Sequence, residues 1–467
     1  MAATDVTEPT WAELLGRDNW AGLLDPLHPS LRSLILRCGD LIQATYDAFN
    51  NDKNSLYCGA SRYGKASFFR KVMLDCPENY DVAAFLYATA RVTVPEAFLL
   101  HSLSREAWDR ESNWIGYIAV TSDSRSQELG RREIYVVWRG TTRDMEWINV
   151  FGAGQVDASG LLSAKSLKEL KDGNKDGSSS SSDEEDDPRK PKVMSGWLTI
   201  YTSDNPKSPF TKSSARTQLQ AHVKSLLQHY SSENPSLVIV GHSLGATLSI
   251  VSAFDLVENG VTEVPVTAIV FGSPQVGNKA FNERFNMFPN LKVLHVKNVI
   301  DLIPHYPGKL LGYEYMGTEL VIDTRKSPSL KDSRNPGDWH NLQAMLHVVA
   351  GWNGKKEEFE MRVKRSVALV NKSCEFLKEE YGVPGSWWVE KNKGMVKRED
   401  GEWVLDAPDE EDVPKVHITK QINITMQVLG SLATITRTPV LFALSSSSTS
   451  TMLPTFTPWK ATKEVLL

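Results

Sequence analysis

Apolar positions recur at spacings of three and four through Leu31, Leu34, Ile35, Cys38, Leu41 and Ile42, just after Pro29, a pattern that predicts a helix. The stretch from Trp11 to about Val94 is read as helical throughout. The period then changes. Trp114 to Thr121 (WIGYIAVT) and Ile134 to Trp138 (IYVVW) are apolar, β-rich runs bounded by polar or glycine residues, and they predict strands. Ser213 to Tyr230 returns to helical spacing through Leu219, Val223, Leu226 and Leu227. After it come strand Leu237 to Val240, helix Ala246 to Val257, and strands Val266 to Phe271 and Lys292 to Val296. Strands alternating with helices predict a largely parallel sheet with right-handed crossovers, an α/β fold.

Leu237 to Val257 is long and apolar enough to resemble a membrane span, but Gly241, His242, Ser243 and Gly245 fall in its first half. A buried strand, a tight turn and a buried helix account for all of it, and no better spanning candidate exists in the sequence. Lys171 to Lys192 (KDGNKDGSSSSSDEEDDPRKPK) has no apolar residue to bury before the valine that follows and predicts a disordered, solvated insertion. Beyond about Lys420 the chain turns to Ser, Thr and scattered aliphatics, and a mostly unstructured tail is expected. The predicted organisation is a helical region at 1–94, an α/β domain at 95–415 interrupted by the insertion, and a tail at 416–467.

At 467 residues, 41% hydrophobic and 23% charged, the chain can bury a substantial core, which excludes a disordered, collagen-like or disulfide-scaffold protein. Lys plus Arg number 52 against 57 Asp plus Glu, and Asp183 to Asp187 alone carries five of the acids. Such a balance lacks the dense basic surface that nucleic-acid affinity rests on, so no nucleic-acid partner is expected. Cys38, Cys58, Cys76 and Cys374 are scattered, without a CxxC pair or metal-ligand spacing, and the sequence opens with acids rather than a basic-then-apolar signal. Reduced thiols, no metal, no cofactor and a cytosolic location follow as expectations.

Gly241-His242-Ser243-Leu244-Gly245 is a G-x-S-x-G pentapeptide between an apolar strand and a helix, the context in which the serine of a nucleophile elbow is exposed at the end of a strand. Ser243 at a helix start has backbone N–H groups near its reacting partner, with the Leu244 N–H as first oxyanion donor. A serine hydroxyl needs a histidine base and an acid to orient it. In such sheets the order is Ser, acid, His. Lys292 to Ile300 leads straight to Asp301, with Asp323 as competitor; of the downstream histidines His305, His340, His347 and His417, His340 follows the turn Asn335-Pro336-Gly337 where a loop meets a helix. His347 reads as a packed helix residue, and His242 and His295 as an elbow neighbour and a strand residue. Trp138-Arg139-Gly140-Thr141-Thr142 ends a strand and could place Thr141 as a second oxyanion donor, or be an ordinary turn.

On these residues the chain resembles the class 3 lipase-like α/β-hydrolases and, within them, the plant class II phospholipase A1 family. The likeness runs through NWAGLLDPLHPSLR (Asn19 to Arg32), SLSREAWDRESNWIGYIAV (Ser102 to Val120), VVWRGTT (Val136 to Thr142), GHSLGA (Gly241 to Ala246), FGSPQVGNKAF (Phe271 to Phe281) and DWHNLQAMLH (Asp338 to His347). It implies metal-free acylhydrolases that cleave the sn-1 ester of phospholipids, in some members galactolipids or acylglycerols, at a membrane or micelle surface. Residue by residue, it implies Ser243 as nucleophile, Asp301 as acid, His340 as base and Thr141 as oxyanion residue. The insertion falls near where such lipases carry a lid, so Phe151 to Lys168 is expected to be the lid. A non-catalytic lipase-like scaffold is the competing reading from another class.

Overall fold

The computed structural model describes residues 8–91, 99, 103, 112–141, 154–172 and 189–388, together with two short paired strands, Met395–Lys397 and Trp403–Leu405. Its centre is a seven-stranded sheet. The strands are β1 (Tyr80–Ala88), β2 (Asn113–Thr121), β3 (Glu133–Trp138), β6 (Ser236–His242), β7 (Val266–Phe271), β8 (Leu291–Asn298) and β9 (Thr318–Ile322), in that spatial order. Two further strands, β4 (Gln155–Asp157) and β5 (Lys192–Met194), form a separate antiparallel pair. β2 runs antiparallel to both β1 and β3, and β3, β6, β7, β8 and β9 run parallel to one another.

Every residue of β2, β3, β6 and β7 is buried, the signature of strands covered on both faces. Side chains alternate along β6. Leu237 and Ile239 pack into the core beneath helices Ser195–Thr202, Ala215–His229 and Leu244–Glu258, whereas Val238 and Val240 pack into the core shared by helices Pro29–Ala48 and Leu342–Gly351. The latter two helices meet where Gly39 has no side chain: a Cβ there would lie 2.2 Å from Leu346 Cδ2. Leu346→Ala should therefore cost about 2–5 kcal/mol in urea unfolding, as expected for a deleted core leucine.

The N-terminal reading needs one correction. Helix Pro29–Ala48 lies where the spacing places it, but Tyr80–Ala88 is a strand, antiparallel to β2 at the sheet edge. A register shift between Val82 and Ala84 breaks the period-two alternation that would have disclosed it. The predicted insertion is also shorter at both ends, because helix Ala164–Asp172 reaches its start and β5 begins at Lys192. Residues 173–188 and the tail beyond 405 lie outside the described residues.

In register, Trp138 of β3 stands beside Gly241 of β6, His242 beside Phe271 of β7, and Phe271 beside Val296 of β8. The loops that leave these strands therefore emerge at one edge of the sheet, the carboxyl edge where open α/β sheets hold their reacting groups.

Candidate active site

β6 ends in a turn too tight for side chains at its two glycines. A Cβ on Gly241 would lie 2.1 Å from the Gly245 carbonyl oxygen, and one on Gly245 would lie 2.4 Å from the Trp138 oxygen. Ser243 sits between them at φ 59°, ψ −125°, a strained conformation for a residue with a side chain, and helix Leu244–Glu258 starts at the next residue. Its N–H donates to the Phe271 oxygen at 3.1 Å, which ties the elbow to the end of β7. The side chain is buried, 1% exposed, and Oγ has no hydrogen-bond partner among the described residues.

His340 closes the short helix Pro336–Trp339, and its Nδ1 lies 2.6 Å from Asp301 Oδ2. Asp301 is also 1% exposed, and its other oxygen accepts the Ile303 N–H at 3.0 Å. An ionised carboxylate only accepts, so Nδ1 carries the ring proton and Nε2 presents its lone pair. That Nε2 is buried and without a partner among the described residues. Gly272, just past β7, lies against this pair: a Cβ there would come within 2.7 Å of His340 Cε1 and 3.2 Å of Asp301 Oδ2. Ser243, Asp301 and His340 thus come together around the end of β7, and the two atoms between which a proton would pass are both unpartnered.

The competing residues are engaged elsewhere. Asp323 caps the turn Thr324–Lys326 and pairs with Arg325. His305 bonds the Tyr315 hydroxyl, and His347 bonds Ser327 Oγ at 2.8 Å; His417 lies outside the described residues. One positioning group escaped the sequence reading: Asn298, at the end of β8, donates to the Trp339 oxygen at 2.9 Å and accepts the Thr324 N–H, fixing the loop that delivers His340. Those contacts span 41 and 26 residues, so no local pattern announces them.

Thr141 is half-buried and lines a cavity of about 260 Å³ together with His340, Tyr46, Arg62 and Leu342. The segment before it is rigidly held, because buried Arg139 donates to the Trp114 and Gly140 oxygens and lies 3.8 Å above the Phe49 ring. Leu244, in the first turn of its helix, has no carbonyl one turn back for its N–H. Of the expected lid, the described part, residues 154–168, is held against the core. Residues 155–157 pair with 192–194, Ala158, Leu161 and Leu162 are buried, and Ser166 bonds Glu258 and Arg284. Those apolar positions serve the core instead; residues 151–153 lie outside the described residues.

Two neighbouring histidines carry a stability signature. Burial, aided by Lys297, pushes His295 down to about 3, and burial, aided by Arg365, pushes His347 down to about 4. The unfolded chain protonates such groups below about 6.5. Between that pH and the folded values the unfolded state binds more protons, so stability is lost as pH falls, by about 1.4 kcal/mol per pH unit for each group. Denaturant midpoints should drop from about pH 6.5 toward pH 4, and His347→Gln should flatten the slope; an unchanged slope would contradict a neutral buried His347.

Among the described residues no cluster of His, Cys, Asp and Glu could hold a metal ion. The arrangement can perform nucleophilic acyl transfer: a serine at a helix start, a base with its lone pair available, and a carboxylate fixing the tautomer. The family model for lipase (class 3) matches residues 135–311. Phospholipase A1-IIdelta of Arabidopsis thaliana is 63% identical over 410 residues, covering 88% of this chain and 99% of that protein. Phospholipase A1-II 5 of Oryza sativa subsp. indica is 49% identical over 410 residues, covering 86% and 84%. Among solved structures, lipase II from Rhizopus niveus aligns over 63% of this chain and 82% of that one at 15% identity, with a TM-score of 0.39.

Proposed function

The chain belongs to the phospholipase A1-II family of the class 3 lipases, and we propose that Ser243, His340 and Asp301 are the catalytic triad of its phospholipase A1 reaction. The observation that carries this is the pair of buried, unpartnered atoms, Ser243 Oγ and His340 Nε2, beside a 2.6 Å contact from Nδ1 to Asp301. His340 Nε2 takes the hydroxyl proton as Oγ attacks the sn-1 ester carbonyl. The carbonyl oxygen becomes an oxyanion held by the Leu244 N–H and Thr141. Collapse breaks the ester bond, and His340 returns the proton to the departing lysophospholipid alkoxide. Water then attacks the acyl-enzyme by the same proton relay and frees the fatty acid and Ser243.

Thr141→Val keeps the backbone N–H and the shape but removes the hydroxyl, and it should lower kcat by about 10²-fold with KM little changed, the loss typical of one oxyanion donor. An unaltered kcat would remove that hydroxyl from the mechanism. The substrate is a glycerolipid presented at a membrane or micelle surface, and among the described residues no helix is long and apolar enough to cross a membrane. We read the protein as cytosolic, a reading supported by its four cysteines, none of them in a disulfide. Turnover of diacyl phospholipid, galactolipid, and mono- and triacylglycerol should be compared under one set of conditions. Phospholipid should be hydrolysed fastest; preference for galactolipid or acylglycerol would reassign the substrate while keeping the triad.

A further inference from the structure

We propose that His242, the second residue of the elbow pentapeptide, is a positioning residue for the catalytic base, acting together with Tyr46 through the backbone carbonyl of His340; this rests on the triad reading above. The His242 ring is buried and both of its nitrogens are engaged. Nε2 lies 2.8 Å from the His340 carbonyl oxygen and Nδ1 lies 2.8 Å from the Tyr46 hydroxyl. A carbonyl can only accept, so Nε2 bears the hydrogen. The neutral ring then offers Nδ1 as an acceptor, and Tyr46 donates to it. Burial, reinforced by neighbouring His340, holds His242 well below its ordinary pKa and keeps that tautomer neutral. Burial likewise keeps the Tyr46 phenol protonated and able to donate.

His340 is thereby fixed at three points. Its own N–H bonds the Pro336 oxygen, its carbonyl receives the His242 N–H, and its Nδ1 bonds Asp301. The two imidazole rings are 4.5 Å apart at 33°, so His242 also backs the plane of the base. Nε2 is the polar atom of His340 that these contacts leave for the substrate reaction.

Tyr46 carries the same connection to the oxyanion segment. A Cβ on Gly140 would lie 2.0 Å from the Tyr46 hydroxyl oxygen and 2.5 Å from the His242 carbonyl oxygen, so this glycine, one residue before Thr141, is closely packed against both. One phenol from helix Pro29–Ala48 thus links the nucleophile elbow, the base and the oxyanion segment. A histidine buried only for packing would need partners of any kind. Here its partners are the backbone of the base and the residue that abuts the oxyanion segment. A neutral His242 also matters electrically: when His340 takes up the serine proton, a second cation 4.5 Å away would oppose it, and only His340 has a carboxylate to support the charge.

The test compares wild type, Ser243→Ala, His242→Leu, His242→Gln and Tyr46→Phe, with thermal unfolding recorded for each. Two activities are read: the rate at which a soluble fluorophosphonate labels the enzyme, and kcat and KM on a soluble p-nitrophenyl ester. Leu removes the donor to the His340 carbonyl, whereas the Gln amide can restore an N–H near the same point. His242→Leu should lower labelling and kcat by about 100-fold, the scale on which small displacements of a catalytic group act, with KM within about threefold. His242→Gln should recover to within about tenfold of wild type, and Tyr46→Phe should lie between wild type and His242→Leu. Folded His242→Leu labelling at the wild-type rate, Gln recovering nothing over Leu, or the whole loss falling in KM would overturn the proposal. If His242→Leu does not fold, Tyr46→Phe decides it, and a wild-type labelling rate overturns it. Labelling of Ser243→Ala as fast as wild type would instead overturn the triad itself, so the two failures are distinguishable.

Discussion

Ser243→Ala is expected to lower kcat on a phospholipid by about a millionfold, the loss found when a triad member is deleted from a serine hydrolase, while thermal unfolding stays near that of wild type. The two halves of the expectation have separate causes. Ser243 Oγ has no hydrogen-bond partner among the described residues, so its removal orphans none of them. The strained φ of 59° is paid for equally by alanine, because the strain comes from Cβ and not from the hydroxyl. What is lost is the atom that forms the acyl-enzyme. The Leu244 N–H remains, so a small residual rate above that of water should persist. Full progress curves with circular-dichroism melts of both proteins check it; turnover within tenfold of wild type would remove Ser243 from the reaction.

Asp301→Asn is expected to cost about 10⁴-fold in kcat, with little change in KM. The reason lies in the second contact of the carboxylate. Ile303 N–H needs an oxygen at 3.0 Å, so the asparagine carbonyl will face it and the amide NH₂ will face His340 Nδ1. Nδ1 must then accept, the ring proton moves to Nε2, and the nitrogen that should receive the serine proton already has one. Steady-state kinetics on the folded variant tests this. A loss confined to KM would contradict the tautomer argument.

The contrast between Asp301 and Asp323 illustrates what the sequence could disclose. Both follow apolar strands, and both are acids downstream of the serine. The resemblance already favoured Asp301, and the folded chain supplies the physical reason: Asp323 is consumed by its own turn and by Arg325, two residues away, whereas Asp301 meets a histidine 39 residues on. The elbow was legible because its requirements are local: two glycines, a serine, an apolar strand before and a helix after. The parallel strands were legible because burial on both faces makes them continuous apolar runs. β1 was hidden by a bulge that shifts the phase of its alternation. The expected lid rested on its place beside the insertion, and place alone does not separate a lid from residues that pack inward, as Ala158, Leu161 and Leu162 do. Tyr46 and Asn298 act through contacts 196 and 41 residues apart, beyond the reach of any periodicity.

The most direct test of the central claim is mass spectrometry of the products formed from a phospholipid with different acyl chains at its two positions, with wild type and Ser243→Ala run side by side. The wild type should release the sn-1 fatty acid and leave the 2-acyl lysophospholipid, and Ser243→Ala should release neither. Release of the sn-2 acid first, or equal release by Ser243→Ala, would contradict an sn-1 acylhydrolase acting through Ser243.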